Sequence, residues 1–150
     1  MAVVVATRMT VARQRWVLRF MAGSLAAARQ AQRSPGFLAG RLRAELPGTF
    51  WTLTMWESGR DMLAFRDTGA HARVLPRLAG WASEAVFGVW NTDAAKLPGW
   101  AETARLIAER PNFAPLDNPG PAQLERRPVA PRAPGFILPL RRRARARQAQ

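Results

Sequence analysis

The sequence predicts an α+β domain of the ferredoxin-like βαββαβ type, with a four-stranded antiparallel sheet and helices on one face. Three observations carry this. The first is the order of periodic segments, strand, helix, strand, strand, helix, strand. The second is a tight turn at Pro47-Gly48 joining the middle two strands. The third is the segment from Thr49 to Trp56, FWTLTMW after its first residue, which is apolar or aromatic on both faces of a strand.

The first strand is read over about Ala2–Val11, with Val3, Val5, Thr7, Met9 and Val11 on one side. A helix over about Trp16–Gln32 follows, its stripe formed by Trp16, Phe20 and Leu25 with Val17, Met21 and Ala28. Arg13 and Arg15 ahead of an apolar run resemble a signal peptide. However, Arg19 interrupts that run and a strand precedes it, so the segment reads as the first helix. Ser34-Pro35-Gly36 breaks the helix. The second strand, about Phe37–Glu45, carries Arg41 and Arg43 on one face and reads as an edge. In the third strand Trp51, Leu53 and Met55 alternate with Phe50, Thr52, Thr54 and Trp56. Ser58 is placed to cap a short helix containing Met62 and Phe65, which ends near Gly69. Val74, Leu75, Leu78 and Trp81 mark a further helical segment, where Pro76 must sit in the first turn or kink it. The last strand, about Ser83–Asn91, sets Ala85, Phe87 and Val89 opposite Val86 and Trp90. Right-handed crossovers then make the first and third strands central. Helices cover one face only, so a second copy of the chain is expected to cover the other, giving a homodimer.

Residues 1–111 therefore form the domain, closed by a helix at about Trp100–Arg110 with Trp100, Ala104, Ile107 and Ala108 as its stripe. Residues 112–150 form a proline- and arginine-rich tail expected to be extended and dispensable for folding. Within it, Gly135–Leu140 is an apolar patch able to dock on the domain, and Arg141–Arg147 a basic run.

Composition excludes several chemistries. With Cys 0 and Tyr 0 there is no thiolate, disulfide, sulfur-bound metal or tyrosine acid, base or radical. The net charge of +13 divides into +7 for residues 1–111 and +6 for 112–150, and 22 of the 23 basic residues are arginine. That balance matches a GC-rich coding bias, and no nucleic-acid-binding module is recognisable. No apolar run reaches the roughly 18–20 residues of a membrane span. The chain reads as cytoplasmic.

One residue invites a chemical role. His71 is the sole histidine. An unperturbed imidazole titrates near about pH 6.5, so His71 suits a base or a ligand to haem iron; the alternative is helix capping or a backbone bond. Trp51, Trp56, Phe65 and Trp90 are the candidate substrate-binding aromatics, with core packing as their alternative. Glu57 is expected to cap the second helix or pair with Arg60 or Arg66. A lone histidine without clustered carboxylates makes no non-haem metal site.

FWTLTMWES on the third strand, Gly-Ala-His-Ala-Arg-Val-Leu-Pro after the second helix, and Trp90 together resemble the antibiotic biosynthesis monooxygenase-like superfamily of dimeric α/β barrels. Similarity covers about residues 1–111, and Leu97-Pro98-Gly99-Trp100 fits the C-terminal extension of an uncharacterised bacterial branch. The resemblance implies a dimeric barrel binding an aromatic or polyketide-type molecule, oxygenated without a cofactor. Haem degradation is the implied alternative, and a non-enzymatic binding module with a basic tail is a third reading. Haem-degrading relatives carry an asparagine on the first strand and a tryptophan on the second helix. Here those positions fall at Thr7 and near Ala64 or Phe65, and only His71 has a counterpart.

Overall fold

The computed structural model describes residues 1–127 and 130–144; the end of the predicted basic run lies outside the described residues. Six strands are named in chain order: β1 (Ala2–Val11), β2 (Phe37–Glu45), β3 (Thr49–Trp56), β4 (Ala82–Thr92), β5 (Asn112–Phe113) and β6 (Gly135–Arg141). The helices are α1 (Gln14–Arg33), α2 (Gly59–Arg66), α3 (Gly69–Trp81), α4 (Trp100–Glu109) and the single turn α5 (Pro121–Leu124). The strands form one antiparallel sheet in the order β5-β4-β1-β3-β2-β6. The ferredoxin-like core is as expected, with β1 and β3 central. The count of four strands is corrected to six, because the stretch expected to be a free tail adds one strand at each edge.

Pairing register assigns the faces. Val4 lies opposite both Met55 and Trp90, Ala6 opposite Leu53 and Gly88, and Arg8 opposite Trp51 and Val86. Directly opposed residues share a face. One face therefore presents Val4, Ala6, Arg8, Trp51, Leu53, Met55 and Trp90; the other presents Val5, Thr7, Phe50, Thr52, Thr54, Trp56 and Phe87.

Helices α1–α3 cover the second of these faces. Ala28 and Ala31 pack with Phe37, Trp56 and Leu140, joined by Met62 and Phe65. The buried line on α1 is Phe20, Ala27, Ala28 and Ala31, whereas Met21 and Leu25 are exposed. The stripe predicted for this helix is thus rotated, because a line of alanines permits closer approach than one of larger side chains. Helices α1 and α3 run antiparallel, with Trp16 stacked on Trp81 at 6.1 Å. Gly23 allows this contact, since a Cβ there would lie 2.7 Å from Val74 Cγ2. Pro76 sits in the middle of α3 rather than in its first turn, so the Ala72 carbonyl has no amide four residues on. Ser58 caps α2, accepting from the Asp61 amide and donating to its carboxylate. Glu57 faces Arg142 instead of Arg60 or Arg66.

The face expected to be bare for a partner is covered by the chain itself. Helix α4 brings Trp100, Ala104 and Ile107 onto Val4, Ala6, Trp51, Leu53 and Met55. Each of the sheet residues is at most 3% exposed. Arg41 and Arg43 do not mark an edge. Their guanidinium carbons lie 5.6 and 6.0 Å from the Trp100 ring centre, while β6 pairs with β2 from Ala39↔Arg141 to Glu45↔Gly135. Buried Glu45 holds this corner, accepting from Trp51 Nε1 at 3.0 Å, Arg43 Nε at 3.2 Å and the Arg132 amide at 2.5 Å. At the opposite edge Gln123 substitutes for a strand: its Oε1 accepts from the Ala85 amide and its Nε2 donates to the Ala114 carbonyl.

Leu140 is 5% exposed. Leu140→Ala should therefore cost about 2–5 kcal/mol in urea unfolding, as truncation of buried leucines does. Leu124→Ala, at a position 69% exposed, should stay within about 0.5 kcal/mol of the parent.

Candidate functional site

His71 is held by the turn between α2 and α3. The chain leaves α2 at Arg66 and re-enters helix at Gly69, whose φ of +58° is a conformation glycine adopts at least cost. Gln30 of α1 clamps this turn from above. Its Nε2 donates to the carbonyls of Phe65 at 3.1 Å and Thr68 at 2.9 Å, and its Oε1 accepts from the His71 amide at 2.9 Å. Gln30 was not singled out in the sequence. Nothing local marks a polar helix residue whose partners lie 35 to 41 positions away.

The imidazole has a defined tautomer. His71 Nδ1 lies 3.0 Å from the Arg66 carbonyl, which can only accept, so Nδ1 carries the proton and Nε2 keeps its lone pair. The same bond closes the C-terminal end of α2. Burial pushes the imidazole below its ordinary pKa of 6.5, against the opposing effect of the Arg66 carbonyl; the Arg66 charge lowers it further and Asp67 raises it. His71 is therefore neutral near pH 7, with an unprotonated Nε2.

A row of aromatic rings runs from the sheet to this imidazole. Phe37 meets Trp56 edge-on at 5.3 Å, Trp56 stacks on Phe65 at 4.9 Å, and Phe65 lies 4.8 Å from His71. Trp56 is fully buried, with its Nε1 donating to Thr54 Oγ1 at 3.0 Å, so it forms the floor of the row. Beside it the helix-facing residues of the two central strands, Val5, Thr7, Phe50, Thr52 and Thr54, are each only half-buried. Thr7 and Thr52 share a hydroxyl hydrogen bond there. This incompletely covered face presents three threonines, one valine and one phenylalanine.

The sheet separates the remaining candidates from His71. Trp51 lies on the opposite face, edge-on to Trp100 at 6.2 Å and beneath the Arg8 guanidinium. Trp90 is on that face too, bordering a cleft of about 360 Å³ between β4 and α4. His71, Phe65 and Trp56 are thus brought together, while Trp51 and Trp90 are not part of that cluster. Among the described residues there is no group of three or more histidine, aspartate or glutamate side chains placed to hold a metal ion. No helix among them is long and apolar enough to cross a membrane.

A comparison with protein-family models finds no match, and a comparison with curated protein sequences finds none either. Solved structures do match. A protein from Nitrosomonas europaea named "Putative antibiotic biosynthesis monooxygenase" superposes with a TM-score of 0.55 at 16% identity, covering 61% of this chain and 90% of that one. A conserved protein from Methanosarcina mazei Go1 gives 0.55 at 16% identity, covering 62% and 94%. SnoaB, a cofactor-independent oxygenase from Streptomyces nogalater, gives 0.52 at 17% identity, covering 65% and 98%. The chain has the antibiotic biosynthesis monooxygenase-like fold, and more than a third of its length lies outside these superpositions.

Because the chain has one histidine, its imidazole proton signal can be followed by NMR without assignment. The midpoint should fall below 6.5, the ordinary value. The sign follows from proton linkage: between the lowered folded pKa and 6.5 the unfolded chain binds more protons. The contribution of His71 to stability is therefore complete above 6.5 and is lost as pH falls through the folded pKa. His71→Gln should flatten that part of the stability profile.

Proposed function

We propose that the protein is a monooxygenase-like enzyme that binds a small aromatic or polyketide-type molecule on the helix side of its sheet. His71 acts there as the base, and no bound cofactor is used. The observation that carries this reading is the oriented imidazole: Nδ1–H is committed to the Arg66 carbonyl, which leaves Nε2 unprotonated on a ring 4.8 Å from Phe65, itself stacked on Trp56. The shared fold with SnoaB, described as a cofactor-independent oxygenase, supports it.

The chemistry suits a methylene flanked by aromatic rings and activated by a conjugated carbonyl. Nε2 removes one proton, and the resulting carbanion transfers electrons to molecular oxygen as a C–O bond forms. The peroxide then loses water while the second carbon-bound proton is removed. The balance is CH2 plus O2 giving C=O plus H2O, with the imidazole returned to its neutral form. Half-buried Thr7 and Thr52 would contact the polar edge of such a substrate, and Phe65 its ring.

Anthrone tests this directly. Oxygen uptake and quinone formation are expected with the parent protein and should fall by at least about 100-fold in His71→Ala, within the usual range for loss of a general base. Uptake unchanged by the substitution would reject His71 as the base. Nε2 is also chemically able to ligate haem iron. A Soret shift on haem titration that is lost in His71→Ala, without anthrone turnover, would replace the oxygenase reading with a haem-binding one. If neither activity appears, a non-enzymatic binding module is the better description.

A homodimer belongs to the same proposal, through a surface other than the self-covered sheet face. The outer edge of β6, with Phe136, Ile137 and Leu138 exposed along it, offers one. Light scattering should report two copies at micromolar concentration, and Ile137→Lys should shift them towards one. A monomeric parent would reject the dimer without bearing on the oxygenase assignment.

A further inference from the structure

On the opposite side of the sheet from His71, a cavity of about 130 Å³ lies between β1, β3 and α4. Trp51, Ile107 and Phe113 give it apolar walls, and three arginines, Arg8, Arg126 and Arg127, border it. Arg8 is unusual in place and in bonding. It sits on a central strand with its side chain 6% exposed, and its Nη1 donates to Glu84 Oε2 at 2.5 Å. Its Nε–H is buried with no hydrogen-bond partner among the described residues. A buried charged donor left unpaired costs far more than an exposed one, so a site of this kind calls for an acceptor.

The charges around the cavity do not cancel. Glu84 pairs with Arg8, and Glu125 pairs with Arg127 at 2.6 Å. Arg126 lies over the Phe113 ring, 5.3 Å from its centre, and forms no ion pair among the described residues. Three cations against two carboxylates leave one net positive charge, facing apolar walls. A cavity of about 150 Å³ lined by apolar side chains is large enough for benzene. The volume here is comparable.

We propose that this cavity binds a small hydrophobic monocarboxylate. The carboxylate accepts from Arg8 Nε and is neutralised by Arg126, while the apolar body lies against Trp51 and Ile107 beneath α4. The site is separate from the proposed oxygenation site, and its occupancy does not depend on that assignment.

Benzoate is the probe, read by calorimetry and by amide chemical shifts on the full chain. One-to-one saturable binding is expected, with shifts concentrated on β1, β3 and α4. Benzamide, its uncharged counterpart, should bind at least about tenfold more weakly, as expected when a charge-assisted bond is lost. Arg126→Gln should weaken benzoate by several-fold. Ala108→Trp, a substitution at an exposed position on the rim, should block entry. The double variant Arg8→Gln with Glu84→Gln removes the buried pair together, so no carboxylate is left unpaired, and should abolish discrimination against benzamide. No saturation by about 10 mM benzoate, equal affinity for benzamide, or binding indifferent to Arg126→Gln and Ala108→Trp would each overturn the proposal. So would shifts confined to α1 and α3.

Discussion

Strand β3 is apolar on both faces, and one chain must bury both. Trp56 and Trp51 sit five residues apart in sequence and on opposite sides of the sheet, each 1% exposed or less. Burying a large aromatic side chain contributes about 1.5–3 kcal/mol, so neither can be left in water without a large loss. Helices α1–α3 meet this need for Trp56, and α4 with the segment after it meets it for Trp51. Each cover also creates a distinct chemical setting: an oriented imidazole on one side and an arginine-bordered cavity on the other.

On the helix side, long-range polar contacts define the geometry. Gln30 binds three backbone groups of the α2–α3 turn, and the turn in turn aims the Arg66 carbonyl at His71 Nδ1. The imidazole tautomer is thus set by backbone, not by a carboxylate partner. Burial favours the neutral ring, and the carbonyl bond opposes this without reversing it. On the other side, Glu45 gathers a tryptophan, an arginine and a backbone amide, which ties the late-sequence segment at Arg132 to the β2–β3 hairpin.

The regular elements were legible because their periodicity is local. Alternation over Thr49–Trp56, the turn at Pro47-Gly48 and the cap at Ser58 each depend on residues a few positions apart, and all appear where the sequence places them. Strand β6 was legible only as an apolar patch, since Gly135–Leu140 alone cannot show that β2 has a free edge to offer. The self-covering by α4 was hidden for the same reason: its stripe of Trp100, Ala104 and Ile107 was visible, but not which surface it would meet. His71 was found because it is unique, whereas Gln30 and Arg8 are defined by partners 35 or more residues distant. Within the predicted aromatic set, the alternation of β3 already separated Trp51 from Trp56, and the register of β4 adds Trp90 to the Trp51 side.

The pairing of β2 with β6 joins residues about a hundred positions apart, Ala39 with Arg141 at one end and Glu45 with Gly135 at the other. During synthesis, β1 to β4 can assemble well before Gly135 emerges. Until then β2 presents an open edge, and Phe37 and Trp56 lack the cover of Leu140. Unpaired edges and uncovered aromatics are what nascent chains aggregate through. The last strand thus works as a late closure on a nearly finished sheet, and contacts this distant in sequence slow the final step of folding.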